Sequence, residues 1–299
     1  MRQEIYKEAM DGIFIERVVR DFEYNMPAKH FHEEYEIYYL VKGERHYFID
    51  TKYYPIKEGS LVFINRNSIH KTSAGDNPYH DRINIEMHDY PFSSFFEFTG
   101  ELNLRQFFTK YQGVLHLSSK EQEYVYRLLN GIVTEIQHRK IGCHMSVMCR
   151  LSELLLFAKR KFDLKTPNAN DITKKSSTHQ LVADVAAYIA ENYNAPCSLN
   201  TLANQFFVNK SYLSRIFKET TGYTITEYIN ISRVQASKKL LTREDMSIHE
   251  VALEVGYTNL TYFERMFIKV TETSPLKYRK QLRLLKSEVR QKTYKAEKI

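Results

Sequence analysis

Asn209-Lys-Ser-Tyr-Leu-Ser-Arg-Ile-Phe217 and Asn259-Leu-Thr-Tyr-Phe-Glu-Arg-Met-Phe267 are two versions of one pattern. The match extends outward in both directions. Upstream, Ser198-Leu-Asn-Thr-Leu-Ala203 answers Ser247-Ile-His-Glu-Val-Ala252, and downstream Tyr228 answers Tyr278. Ser198/Ser247 and Ala203/Ala252 lie 49 apart, whereas Arg215/Arg265 and Phe217/Phe267 lie 50 apart, so the copies differ by one residue in the turn. A repeat of this period marks a duplicated supersecondary unit, here a helix-turn-helix written twice.

Each copy carries the punctuation of short helices. Ser247-x-x-Glu250 and Thr224-x-x-Glu227 are capping boxes, in which hydroxyl and carboxylate satisfy free amides at a helix start. Ser274-Pro275 sets a cap before a residue suited to the first helical position. In the second helix of copy one, Leu213, Ile216, Phe217 and Thr220 share one face; Ser211, Ser214, Arg215 and Lys218 share the other. A polar, cationic face on an apolar back is what a major-groove reader needs. Taken alone, such a helix reads as an ordinary surface helix, and the duplication is what tips the reading towards DNA. Copy two turns Asn259, Thr261, Glu264 and Arg265 outward, but Leu260 and Ile268 are apolar, so a weaker grip on phosphate is expected there. Thr224 to Leu241 would span roughly 27 Å as a helix, of the order of the ~34 Å turn of B-DNA.

The region from about 179 to 283 resembles the double helix-turn-helix domain of AraC-type (AraC/XylS family) transcription regulators. The resemblance rests on Tyr212-Leu-Ser-Arg-Ile-Phe-Lys-Glu-Thr-Thr-Gly222, Ile248 to Ala252, Gly256-Tyr257, Tyr262-Phe-Glu-Arg-Met-Phe267 and Ser274-Pro-Leu-Lys-Tyr-Arg279. It implies double-stranded DNA as partner, with Lys210, Ser211, Ser214, Arg215 and Lys218 at one groove. Asn259, Leu260, Thr261, Glu264 and Arg265 take the matching place at the next. It also implies a homodimer, often one that governs carbohydrate use, and leaves RNA polymerase as a further partner.

Composition agrees. A chain of 299 residues suggests two domains. Residues 179–299 hold 18 Lys and Arg against 12 Asp and Glu, a net +6, while residues 1–178 hold 25 against 24. The basic excess lies with the repeat and points to a polyanion. The charged start lacks the apolar core of a signal peptide, and no run of about 18 apolar residues is present to span a bilayer. Cys143, Cys149 and Cys197 form neither a disulfide framework nor a zinc knuckle, so a reducing cytoplasm is expected.

The first half reads differently. Residues 1–25 suggest an arm with one strand, Gly12 to Val19. Short β-rich segments follow at Tyr35–Val41, Arg45–Ile49 and Leu61–Ile64, with turns at Lys42-Gly43 and around Asp50 to Lys52. Strands at this spacing mean a barrel or sandwich. His30-x-His32-x3-Glu36-x6-Gly43, with Gly59 and His70, resembles the first motif of the cupin fold and the histidine of its second. Asn65 and Asn67 stand where cupins carry proline and glycine. The resemblance implies a small jelly-roll barrel over about 10–90. It places an effector pocket at His30, His32, Glu36, Tyr38 and His70.

Three imidazoles and a carboxylate suit a divalent Fe, Mn, Ni or Zn; the same groups can instead line a pocket and bond a polar ligand or each other. Beside an AraC-type half the resemblance favours the pocket, so no cofactor is expected, with a metal on His30, His32, Glu36 and His70 as the alternative. His46, His80 and His88 fall outside the pattern and are expected to be ordinary histidines.

From Ser118 the period becomes helical. Tyr124, Leu128, Leu129, Ile132, Val133 and Ile136 form one stripe, and Met145, Met148, Leu151, Leu154, Leu155, Leu156 and Ala158 a second. The pair either covers the barrel or builds a dimer interface. Residues 163–178 read as a linker, and 284–299 as a basic tail.

The expected protein is therefore α+β with two domains. A cupin-like β-barrel with a helix pair occupies 1–162, the helices over about 118–162, and an all-α double helix-turn-helix occupies 179–283. The expected function is a sequence-specific transcription regulator, not an enzyme, responding to a sugar or related polar metabolite. The alternatives are a metal-dependent cupin enzyme fused to a DNA-binding domain, and a ligand-independent regulator whose barrel only dimerises.

Overall fold

The computed structural model describes residues 1–25, 32–100, 102–164 and 177–284, without the side chains of 97–99. Two compact units result, one built around Met1–Gln180 and the other around Leu181–Glu219 with the residues from Tyr223 on.

Eight antiparallel strands make the first unit: β1 (Arg2–Met10), β2 (Ile13–Arg20), β3 (Tyr35–Ile49), β4 (Lys52–Lys57), β5 (Ser60–Ile64), β6 (His70–Ala74), β7 (His80–Met87) and β8 (Gly113–His116). They pair in the order β1-β2-β7-β3-β5-β8, and β4 and β6 join the far half of β3. The expected single strand of the N-terminal arm is in fact a hairpin, with β1 against β2 and residues of positive φ, Asp11 and Gly12, at its turn. The turn expected at Lys42-Gly43 is a bend inside one 15-residue strand, because both halves of β3 find partners on either side of it. Gly43 sits there at φ +100°, and a Cβ would lie 2.3 Å from the carbonyl oxygen of Tyr79, which no other residue tolerates.

Strict alternation gives the sheet two faces. Ile37, Tyr39, Leu61, Phe63, Ile83 and Ile85 are buried on one side, in a core shared with two long helices, α3 (Ser119–His138) and α4 (Cys143–Leu164). Glu36, Tyr38, Val62, Arg82 and Asn84 alternate with them and face the other way. A register shift between Leu40 and Lys42 then changes parity along β3. Tyr38 and Leu40 before it, and Tyr47 and Ile49 after it, share one interior cluster, and Arg45 follows the second set inward.

Val125, Leu128, Leu129, Ile132, Val133 and Ile136 of α3 are all buried against the sheet, each contributing on the order of 1.5–3 kcal/mol. In α4 the inner stripe includes Val147 and Leu151, and Met145 is 60 % exposed rather than inward. Two short helices that periodicity did not reveal, α1 (Phe92–Thr99) and α2 (Leu104–Lys110), add Phe92, Phe96, Phe107 and Phe108 to the same core.

The second unit is helical: α5 (Ser177–Glu191), α6 (Leu199–Gln205), α7 (Lys210–Thr221), α8 (Ile225–Leu240), α9 (Ile248–Glu254) and α10 (Leu260–Thr271), with a further helix over 275–284. The capping boxes of Thr224/Glu227 and Ser247/Glu250 both form, and a third joins Ser198 and Thr201. The 16-residue α8 is about 24 Å long. Its Arg233 donates to the carbonyl of Tyr193 at 2.7 Å. Gly256, at φ +90°, packs where a Cβ would come 2.6 Å from the Asn194 carbonyl oxygen, so the turn of copy two closes on the segment before copy one. Val251, Tyr257, Phe263 and Phe267 form the core of copy two with Val234 and Leu241. His30, most of the expected linker (165–176) and the tail from 285 lie outside the described residues. No helix among those described is long and apolar enough to cross a membrane.

Candidate DNA-reading surface and barrel cavity

Helix α7 projects Lys210, Ser211, Arg215 and Lys218 into solvent from the buried back of Leu213, Ile216 and Phe217; Ser214 is half-buried. Arg215 pairs with Glu219 at 3.3 Å one turn on, and both side chains are at least 60 % exposed. Such a pair is worth only about 0.3–0.5 kcal/mol, so it opens easily to a phosphate or base. The Arg215 guanidinium also lies 5.7 Å from the ring of Tyr212.

The same arrangement recurs in α10, where Arg265 sits 5.1 Å from the ring of Tyr262. The Tyr-x-x-Arg spacing that produces both contacts is legible in the sequence. Tyr262 is itself held by Asn230 of α8, whose amide donates to its hydroxyl at 3.3 Å. Thr261, Glu264 and Arg265 are exposed as expected. Asn259 is the N-cap, its side-chain oxygen accepting from the amide of Tyr262 at 2.8 Å, and Leu260 is half-buried against the core of copy two.

The second candidate site lies inside the barrel. His32, Glu36 and His70 converge there, with one donor atom of each within 4.8 Å of the others. Glu36 Oε2 is 3.2 Å from Nε2 of both histidines, and Glu36 Oε1 accepts from the Tyr47 hydroxyl at 3.1 Å. Burial would push the Glu36 carboxyl up, but His70 and His32 outweigh it and hold it well below the carboxylate range. The Nδ1 of His70 is 2.9 Å from the carbonyl of Ser68, which fixes that nitrogen as the donor and aims Nε2 at the cluster. This is the support pattern of a metal-ligating histidine, and the donor set fits a divalent transition metal.

Glu36 and Tyr38 also line a cavity of about 240 Å³ between the two halves of the barrel. Most of its wall was not anticipated. Arg20, Arg45 and Arg82 enter it, with Thr72, His80 and Asn84. Arg82 is answered by a short ion pair with Glu16. Arg45, 1 % exposed, donates through Nη2 to the carbonyl of Tyr24 (2.7 Å) and to the hydroxyl of Thr72 (2.6 Å), both neutral. Arg20, 4 % exposed, meets Nε2 of His80 at 3.5 Å and lies 4.0 Å from the ring of Tyr24. Burial pushes both guanidinium groups below their ordinary value, with Arg82 adding to the effect on Arg20.

His80, expected to be ordinary, is held neutral, its pKa lowered to about 4 by burial and then by Arg45, Arg20 and Arg82. Among the described residues, Arg45 Nε and Nη1, Arg20 Nε, the Tyr38 hydroxyl and Asn84 Oδ1 have no hydrogen-bond partner. A buried donor left so costs about 1–3 kcal/mol, more when charged. The alternation of β7 could have revealed Arg82 and Asn84; the parity change in β3 concealed Arg45.

Two family models match the chain: an AraC-like ligand binding domain over residues 17–155 and a helix-turn-helix domain over 202–281. The melibiose operon regulatory protein of Escherichia coli (strain K12) is 25% identical over 270 residues, 85% of this chain and 84% of that protein. The probable transcription factor PqrA of Proteus vulgaris is 37% identical over 86 residues, 29% of this chain and 70% of its own. The transcriptional regulator YijO of Escherichia coli (strain K12) is 34% identical over 112 residues, 38% of this chain and 40% of its own.

Proposed function

We propose, for a chain that belongs to the AraC family of DNA-binding transcription regulators, that the barrel cavity is the effector site and that α7 and α10 read successive major grooves. The family makes it a regulator rather than an enzyme. Arg215, with Lys210, Ser211, Ser214 and Lys218 around it, contacts the first groove. Arg265, with Asn259, Leu260, Thr261 and Glu264, takes the corresponding place at the second.

The effector is a small, sugar-like polar molecule. The observation that carries this reading is the cavity itself, with buried polar groups that find no partner within the described chain. A volume of about 240 Å³ suits a small molecule of sugar size. That a similar protein is the melibiose operon regulator supports the sugar class. To change transcription, the ligand must bind one conformation of the chain better than another. The inner faces of α3 and α4 are occupied by the barrel, so a homodimer through them uses their outer faces. The protein works in the cytosol.

The test is a reporter under a promoter fragment that the full chain selects, in cells offered a panel of carbohydrates. Filling the cavity with Asn84→Phe is expected to abolish the response while leaving binding to the fragment intact. A response unchanged by Asn84→Phe contradicts the assignment.

A further inference from the structure

The cations of the barrel are not treated alike. Arg17 is answered by Asp81 at 2.7 Å on the helix-covered side, and Arg82 by Glu16 in the cavity wall. Among the described residues, Arg45 and Arg20 meet only a carbonyl, a hydroxyl, a neutral imidazole and an aromatic ring. Segment 26–31 carries no acidic residue that could answer them. Two buried guanidinium groups with no carboxylate in contact are expensive, and proteins seldom keep such groups without a partner. Arginine is also the side chain whose fork of donors suits a carboxylate best.

The remaining wall narrows the ligand. Glu36 and Glu86 line the same cavity, and their oxygens accept hydrogen bonds. They disfavour a dianion such as a phosphate monoester and favour a neutral body rich in hydroxyl groups. The Tyr38 hydroxyl and Asn84 Oδ1, both without a partner among the described residues, add a donor and an acceptor suited to the same body.

We infer that the cavity takes a hydroxylated carboxylic acid of about six carbons, an aldonate or uronate, with its carboxylate on Arg45 and Arg20 and its hydroxyls towards Glu36, Glu86 and Tyr38. The inference rests on the reading of this cavity as the effector site and gives that ligand its charge. A neutral sugar leaves both guanidinium groups unanswered, whereas a sugar acid answers them and fills the acceptor side as well.

Calorimetric titration of the full chain with matched pairs, galacturonate against galactose and gluconate against glucose, tests it, with serine and inorganic phosphate as further probes. The acid of at least one pair is expected to bind 10-fold or more tighter than its neutral partner. Arg45→Met is expected to weaken that acid by at least 10-fold while the melting temperature of the free protein stays level or rises by a few degrees, a buried cation having been removed. Arg20→Gln, expected to weaken the same acid, serves if Arg45→Met does not fold.

A neutral partner that binds as tightly as its acid overturns the inference. So does a preference for serine or phosphate over the sugar acids, an affinity indifferent to both arginine substitutions, or no binding by any sugar acid. If the sugar acids fail while Asn84→Phe still abolishes the reporter response, only the ligand class falls and the effector site stands.

Discussion

Arg45 and Arg20 are 1 % and 4 % exposed and, among the described residues, contact only neutral groups, whereas Arg215 is 62 % exposed and shares a loose pair with Glu219. The two units thus keep cations under opposite conditions. In the barrel the charges are desolvated, little screened and fixed by neighbouring strands, so they discriminate among ligands at short range. On α7 they are solvated and screened beyond about 8–10 Å, so they attract phosphate at a distance and lose strength as salt rises. The same side chain serves recognition in one unit and attraction in the other, and burial decides which.

The comparison can be broken first through packing. Phe263 is fully buried in the core behind α10, and Phe263→Ala should cost about 3–5 kcal/mol in urea unfolding, removing the second reading face with it. A loss under 1 kcal/mol would mean that α10 is not held by this core.

A smaller effect concerns protons. His80 has a folded pKa of about 4, below the ~6.5 of the unfolded chain, so the unfolded chain takes up the proton first. Its contribution is present at neutral pH and is lost as the pH falls from about 6.5 to 4. In urea melts at several pH values, His80→Asn, whose amide can donate to the Pro78 carbonyl as Nδ1 does, should remove on the order of 2–3 kcal/mol from that decline. Equal slopes for both proteins would show that the barrel does not hold this group neutral.

The smallest effect separates the two helix-turn-helix copies. In the turn of copy one, Phe207 takes the left-handed conformation (φ +53°) and is 95 % exposed, where Gly256 stands in copy two. That conformation disfavours residues with a Cβ by about 1–2 kcal/mol, partly offset by the greater freedom of glycine when unfolded. Phe207→Gly should therefore raise stability by about 0.5–1 kcal/mol in thermal melts, and a loss would show that the ring contributes to the turn.

The helical unit was the more legible from sequence. Its repeat, its capping boxes and the opposed faces of α7 depend on spacings within a few residues, and the structure carries them with little change. The barrel was legible only in outline. His32, Glu36 and His70 come together, as their resemblance to the cupin motifs implied, and Tyr38 lines the cavity beside Glu36. The arginines did not announce themselves, because whether a strand residue points inward depends on register. One shift in β3 moves Arg45 inside, and Arg20 acquires its setting from β7, some 60 residues away. Helices α1 and α2 were missed because Phe-rich segments of seven or eight residues are too short for a period to show.

The most direct measurement is the affinity of the full chain for a genomic fragment it selects and for a scrambled duplex, at 50 and 200 mM salt, before and after Arg215→Ala. The selected fragment should be preferred and binding should fall steeply with salt. Arg215→Ala should either cost about 1–3 kcal/mol on the selected fragment alone, if the guanidinium reads a base, or weaken both duplexes and flatten the salt slope by about 1, if it holds a phosphate. Binding that is unchanged on both duplexes at both salt concentrations would contradict the assignment of α7 as a reading helix.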